Sequence, residues 1–243
     1  MSDVVRVAMW SGPRNISTAM MRAFENRPDT VVVDEPLYAA YLARTGIDHP
    51  VREEVIASQP TDLATAVAEL SAPLPSGRSV HYAKHMAHHV PRDMDLDWTL
   101  RFRNVLLIRD PFEVVASYVR ARETCEPDDI GLPQQGWLME LWDEHGVEVP
   151  ILDAHDFLSA PEAHLRYLCE WLGIPFTPRM LSWPRGPRPS DGVWASHWYG
   201  AVWSSTGFEP WHPRETTLSD HDAAVAEACR PVYAALHARR VRV

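Results

Sequence analysis

An apolar run, Val4, Val5, Val7, Ala8 and Met9, passes through Trp10-Ser-Gly-Pro-Arg-Asn-Ile-Ser-Thr18 into a helical apolar pattern at Met20, Met21 and Phe24. That order reads strand, tight loop, helix. A loop so placed aims the backbone N–H groups of residues 15–18, from Asn15 and Ile16 to Ser17 and Thr18, at one point together with the positive end of a helix dipole. The geometry suits a phosphate or sulfate group, with Arg14 adding a charge and the Ser17 and Thr18 hydroxyls adding neutral donors. The lysine and final glycine of a G-x-x-x-x-G-K-[ST] loop are both missing, so this is an anion-binding loop of another kind.

A second segment, residues 104–121, repeats the pattern: a buried strand from Val105 to Ile108, a short turn and a helix. Asp110 is a natural N-cap, Pro111 stands at the first helical position and Glu113 is placed to close a capping box. Arg109 falls at the carboxyl end of the strand, where ligands of open parallel sheets collect, and Ser117 lies two turns into the helix.

Together the two segments resemble the sulfotransferases that use 3′-phosphoadenosine 5′-phosphosulfate (PAPS). The resemblance covers both nucleotide motifs and the strand–helix order between them, roughly the first half of the chain. It implies that the first loop grips the 5′-phosphosulfate, and that Arg109 and Ser117, an arginine and a serine eight residues apart, grip the 3′-phosphate. Asn15-Ile16 stand where members commonly carry Ser-Gly, and Ala19 stands where many cytosolic members stack a tryptophan on adenine. Because the branched Cβ of Ile16 resists φ > 0, the loop is expected to use ordinary backbone angles.

Moving a sulfuryl group to an acceptor is an in-line displacement, which needs a base for the acceptor proton and donors for the charge that develops on the bridging oxygen. Arg14 is the first candidate donor. Two segments offer a base. Thr30-Val-Val-Val-Asp-Glu35-Pro36-Leu37 reads as a buried strand ending in two carboxylates, and a glutamate in a similar Glu-Pro-Leu context is the base in carbohydrate-type members. Val80-His-Tyr-Ala-Lys84-His85-Met-Ala-His88-His89 reads as a strand and turn, similar to the Lys-x-His of cytosolic members but one residue out of register. Lys84 is thereby read as a sulfuryl-side cation, and either Glu35 or His85 as the base, with His88 behind them. No carboxylate or cysteine partner accompanies the histidines at ligand spacing, so no metal is expected.

The late stretch gathers Trp183, Trp194, Trp198, Trp203 and Trp211 among Arg185, Arg188 and Arg214. The resemblance assigns a late loop to the 3′-phosphate, and Arg188 in Pro187-Arg-Pro-Ser-Asp-Gly192 is the residue expected to make that contact. Most of the tryptophans are expected to pack an irregular segment, and a subset to line an acceptor pocket.

The 243 residues, 46% of them apolar, suffice for one core, no low-complexity stretch divides them, and a single domain over 1–243 is expected. Strands at 4–9, 30–34, 79–84, 104–108 and near 149–153 alternate with helices at 17–26, within 36–71, and at 111–121, 135–145, 161–172 and 220–238. This is an α/β pattern: a three-layer, mostly parallel sheet flanked by helices, P-loop-like, with an irregular Pro/Trp-rich C-terminal section. The start of the chain lacks a signal-peptide pattern, and no apolar stretch approaches the ~20 residues that span a bilayer, so a cytoplasmic protein that binds no membrane is expected. A net charge of −10 argues against nucleic acid or an anionic membrane as a partner. The resemblance implies a small-molecule acceptor carrying a hydroxyl or amine. Cys125, Cys169 and Cys229 form neither a metal-ligand spacing nor an even disulfide set.

Two other functions fit parts of this pattern. Val31-Val-Val-Asp34-Glu35 also looks like a strand that holds Mg²⁺ in an ATP-dependent kinase, and a noncatalytic nucleotide-binding module would keep the loop without the base.

Overall fold

The computed structural model describes residues 4–120, 124–213 and 217–243; Arg214, named above, and position 121, the expected end of the helix over 111–121, lie outside them. The chain runs β1 (Val5–Ser11), α1 (Ser17–Glu25), β2 (Thr30–Asp34), α2 (Tyr38–Thr45), α3 (Arg52–Ser58), α4 (Leu63–Ser71), β3 (Val80–Met86), β4 (Arg103–Ile108) and α5 (Pro111–Tyr118). It continues with α6 (Leu132–Glu144), β5 (Ile151–Asp153), α7 (Ala154–Ser159), α8 (Pro161–Leu172), α9 (Ala195–Trp198), α10 (Gly200–Ser204) and α11 (Asp220–Ala238).

The five strands form one sheet in the order β2-β3-β1-β4-β5, and every pairing is parallel. The strands read as continuous apolar runs because both faces are covered. Val7, Met9, Tyr82, Val105 and Leu107 face Met20, Met21 and Phe24 of α1 and Leu165 and Leu168 of α8. Ala8, Trp10, Ala83, Leu106 and Ile108 face Leu138 and Trp142 of α6 and Leu236 of α11. Alternation along each strand thus separates two apolar layers, and the architecture is the three-layer one expected.

β1 lies between β3 and β4, so the chain crosses first to one side of it and then to the other. The crevice outside the carboxyl ends of the strands opens at that reversal. Register brings Asp34 opposite Lys84, and Ser11 opposite Met86 and Leu107, so one edge carries the ends of β2, β3, β1 and β4.

Three local features differ from expectation. β3 runs to Met86, two residues beyond its expected end, which keeps His85 within the strand. Asp110 caps α5 as expected, accepting from the Phe112 N–H at 2.8 Å, but Glu113 closes no capping box because its carboxylate is turned to Arg109 and Trp211. The stretch after α8 holds two short helices, α9 and α10, and a single antiparallel bridge, Ser182 to Gly207. Among the described residues, no helix is long and apolar enough to cross a membrane.

Candidate active site

A cavity of about 410 Å³ lies over the carboxyl ends of the strands, lined by Pro13 to Ala19, Glu35, Lys84, Arg109 and Ser117, and on the far side by residues from Trp198 to His212. Its floor is the loop between β1 and α1. Ile16 takes φ −91°, as its branched Cβ requires, but Arg14 adopts φ 55°, so the loop does enter the left-handed region, at a residue before Ile16 rather than at Ile16 itself. Asn15 fixes the turn by accepting from the Ile16 N–H at 2.8 Å and donating to the Leu107 carbonyl at 3.1 Å. The Ile16 N–H is thereby engaged, and no side chain caps α1, so the first-turn N–H groups behind it face the cavity.

The second segment meets this loop. Arg14 Nε donates to Ser117 Oγ at 2.9 Å, and Arg109 donates to the Arg14 carbonyl at 2.8 Å. Glu113 holds Arg109 through Nε at 2.9 Å and a terminal nitrogen at 2.7 Å, which orients the fork and leaves one N–H on each terminal nitrogen for a ligand. Partial burial first, then the charges of Arg109 and Arg120, lower the pKa of Arg14 below the usual arginine value. A cluster of cations with that mutual repulsion is relieved by an anion.

The other end of the cavity is a compact polar cluster. Lys84 Nζ donates to Asp34 at 2.9 Å, to Glu35 at 2.7 Å and to the Tyr199 hydroxyl at 2.6 Å, which uses all three of its N–H groups. Tyr199 donates to Asp34 at 2.7 Å and accepts from the Trp194 indole at 3.2 Å, while the Gly192 N–H donates to Asp34 at 3.1 Å. Glu35 stands at φ 44°, held there by its N–H on the Lys84 carbonyl at 2.9 Å, and remains 7% exposed. Strain of this kind persists only where surrounding contacts over-determine it. Burial, partly opposed by Lys84, raises the pKa of Glu35; burial opposes the ammonium of Lys84, but Asp34 and Glu35 outweigh it and raise its pKa.

A family model described as Sulfotransferase domain matches residues 5–240. The chain belongs to that family. Among curated proteins it is similar to Branched-chain-amino-acid aminotransferase-like proteins 1 and 2 of Arabidopsis thaliana, at 35% identity over 241 residues and 33% over 229. These matches cover 96% and 92% of this chain, which spans about two-fifths of the relatives' length, 42% and 40%. A sulfotransferase from Alicyclobacillus acidocaldarius shares the fold at a TM-score of 0.57 with 14% identity, covering 98% of this chain and 97% of its own. Mouse sulfotransferase SULT7A1 complexed with PAP shares it at 0.50 with 12% identity, covering 98% and 85%.

In this sulfotransferase domain the geometry separates the residues singled out in the sequence. Arg14 to Thr18, Glu35, Lys84, Arg109 and Ser117 all line the cavity. His85 does not. It is the strand neighbour of Lys84 and points to the opposite face of the sheet, where its ring stacks on Trp10 at 4.1 Å with neither nitrogen hydrogen-bonded. Burial lowers its pKa to about 3, so it is a neutral core residue placed away from the cavity. Arg188 also stays outside the cavity: its guanidinium turns back to the Pro184 carbonyl and its N–H to Asp191. That loop anchors the chain instead, because Asp191 pairs with buried Arg22 of α1 and accepts from the Trp203 indole at 3.0 Å. Lys84, read as a cation for the sulfuryl group, directs all its N–H groups at the cluster.

His89 is packed between Tyr38 and Tyr41, with ring centroids 4.5 and 4.9 Å apart, and its Nε2 lies 4.0 Å from Glu35. Burial first, then neighbouring histidines and Lys84, hold its pKa well below the usual value. Trp183 and Trp194 are core residues, whereas Trp198 and Trp211 line the cavity. Asp34 offers no open face to a cation, since both oxygens take donors from Lys84, Tyr199 or Gly192. Tyr199 and Phe208 line the cavity but carried no signal in the sequence, since neither belongs to a motif and both reach it through tertiary contacts. Glu113, expected to cap α5, instead orients Arg109 from one helical turn away.

Proposed function

We propose that this chain moves a sulfuryl group from 3′-phosphoadenosine 5′-phosphosulfate to a hydroxyl or amine of a small-molecule acceptor by in-line displacement. The reading rests on one observation: the α1 loop, the Arg109–Ser117 pair and the Glu35–Lys84 cluster converge on a single cavity. The first turn of α1, with Arg14, Ser17 and Thr18, binds the phosphosulfate and meets the charge that develops on the bridging oxygen. Arg109, oriented by Glu113, presents its two remaining N–H groups to the 3′-phosphate, and Ser117 and Arg14 complete that grip. Ala19, Leu158 and Phe208 supply an apolar wall for the adenine, in place of the missing tryptophan.

Glu35 takes the acceptor proton. It is the one carboxylate of the cluster on the cavity wall, since Asp34 is turned into its own donors. Lys84 supplies the opposite charge that keeps Glu35 ionised despite burial. The kinase reading depended on Asp34 holding Mg²⁺, and its occupied oxygens leave that reading without support.

Calorimetric titration with 3′-phosphoadenosine 5′-phosphate (PAP), run beside ATP with and without Mg²⁺, tests the proposal. Micromolar binding of PAP with weak, Mg²⁺-independent binding of ATP is expected. The reverse preference overturns it.

A further inference from the structure

Lys84 is the single lysine among the 243 residues; every other basic chain of the Lys+Arg set is arginine. It is 1% exposed and shares its three N–H groups among Asp34, Glu35 and Tyr199. Two carboxylates beside one ammonium leave a surplus negative charge in a buried place, which favours protonation of one of them. A base that is protonated at rest accepts no proton. What settles the cluster is a neutral fourth group able both to donate and to accept.

Tyr199 is that group. Its hydroxyl has one proton, given to Asp34 at 2.7 Å, and its lone pairs accept from Lys84 at 2.6 Å and Trp194 at 3.2 Å. Burial first, and then Asp34 and Glu35, raise its pKa well above the ordinary tyrosine value, so it stays a neutral phenol. The segment that carries it is fastened for the purpose: Asp191 to Arg22, Gly192 to Asp34 and Trp203 to Asp191 hold residues 191–203 against α1 and β2. Lys84 also lies 4.8 Å from the centroid of the Tyr199 ring, so the ammonium is bounded by the phenol.

We infer that Tyr199 is a positioning residue for the proton acceptor: by donating to Asp34 and accepting from Lys84 it satisfies Asp34 and steers the ammonium onto Glu35. The groups that face Glu35 are Asp34 from β2, Lys84 from β3, His89 just beyond β3 at 4.0 Å and Tyr199 at 3.3 Å, with Tyr38, His49 and His88 on the same cavity wall. His89 is kept neutral by its burial and its neighbours, so the balance is struck among Lys84, the two carboxylates and the phenol. This inference rests on the sulfuryl-transfer reading only for the meaning of the proton, not for the coupling itself.

The single lysine makes the test specific. Protein grown with 15Nζ-lysine gives one side-chain resonance, and its pH titration reports the ionisation of the carboxylate cluster it bridges. In Tyr199→Phe the ring remains and the hydroxyl is lost, so the midpoint of that titration moves to higher pH. The acid limb of the kcat profile for PAPS turnover moves the same way, kcat at neutral pH falls roughly tenfold, and the affinity for PAP stays within about twofold. An unmoved midpoint in a folded Tyr199→Phe protein overturns the inference. If that variant does not fold, 3-fluorotyrosine at position 199 keeps ring and hydroxyl but donates more strongly; the midpoint then moves to lower pH, and no movement overturns the inference. Failure of PAP to bind the unaltered protein would defeat the sulfuryl-transfer reading instead, and leaves the lysine titration readable.

Discussion

Two regions line the same cavity and are built in opposite ways. The loop before α1 and the β4–α5 turn place their residues by local rules: a strand end, a tight turn and a helix N-terminus that together fix where Arg14, Ser17, Arg109 and Ser117 lie. The segment from Asp191 to His212 has only two short helices and one bridge, and its position depends on buried polar contacts reaching back to Arg22, Asp34 and Glu113. Local geometry serves where backbone N–H groups and a helix N-terminus have to be gathered at one point, a generic need of anion binding. Long-range contacts serve where a particular side chain must be delivered to a particular carboxylate.

If that division is right, substitutions in the two regions should fail differently. The largest effect is expected at Glu35, where both regions meet: Glu35→Gln lowers turnover by roughly 10²–10⁴-fold while PAP still binds in calorimetry. Next is the anchor of the C-terminal segment. Asp191→Ala leaves Arg22 buried with Glu25 alone, and urea unfolding should show a loss of about 3–5 kcal/mol. Nucleotide affinity per folded molecule should change far less than turnover; an equal loss of both would mean that the segment also holds the nucleotide.

Arg109→Ala tests the local region, removing a charge-assisted contact of about 1.5–3 kcal/mol and weakening PAP by roughly 10- to 150-fold, with AMP hardly affected. The smallest effect on activity is expected at His85. His85→Phe keeps the stack on Trp10, and turnover should stay within about threefold. Its effect on stability has a sign. With the folded pKa near 3 against an ordinary 6.5, native His85 binds fewer protons than the unfolded chain, so it contributes stability above pH 6.5 that is lost as pH falls toward 3. Acid unfolding followed by tryptophan fluorescence should therefore be less steep in His85→Phe, whose other buried histidines remain.

The same division explains what could be read from the sequence. Strand ends, the Asp110 cap, Pro111 and the helix periods are local signals, and they placed the sheet, the helices and the two segments that line the cavity. Lys84 and Glu35 were visible as strand-end residues, but their pairing needs β2 beside β3, which no local signal states. His85 was misplaced for a reason that strand geometry supplies: once β3 extends to Met86, adjacent residues face opposite sides, and Lys84 and His85 cannot both face the cavity. Arg188 was misplaced because an arginine in a turn gives no sign of direction, and Asp191 close by bends that turn onto Arg22. Tyr199 lies in a tryptophan-rich stretch whose pattern distinguishes no residue from its neighbours.

Gly12 lies where β1 leaves the sheet, and a Cβ there would sit 2.2 Å from the Ile130 carbonyl oxygen; one on Gly131 would sit 3.2 Å from the Gly12 Cα. Main chain rests directly on main chain at the entrance to the anion loop. Any side chain at position 12 must lever that loop away from its support, dragging Arg14 with it. A mutational scan scored only by ligand capture would rank Gly12 among the recognition residues, although it is the shim beneath them.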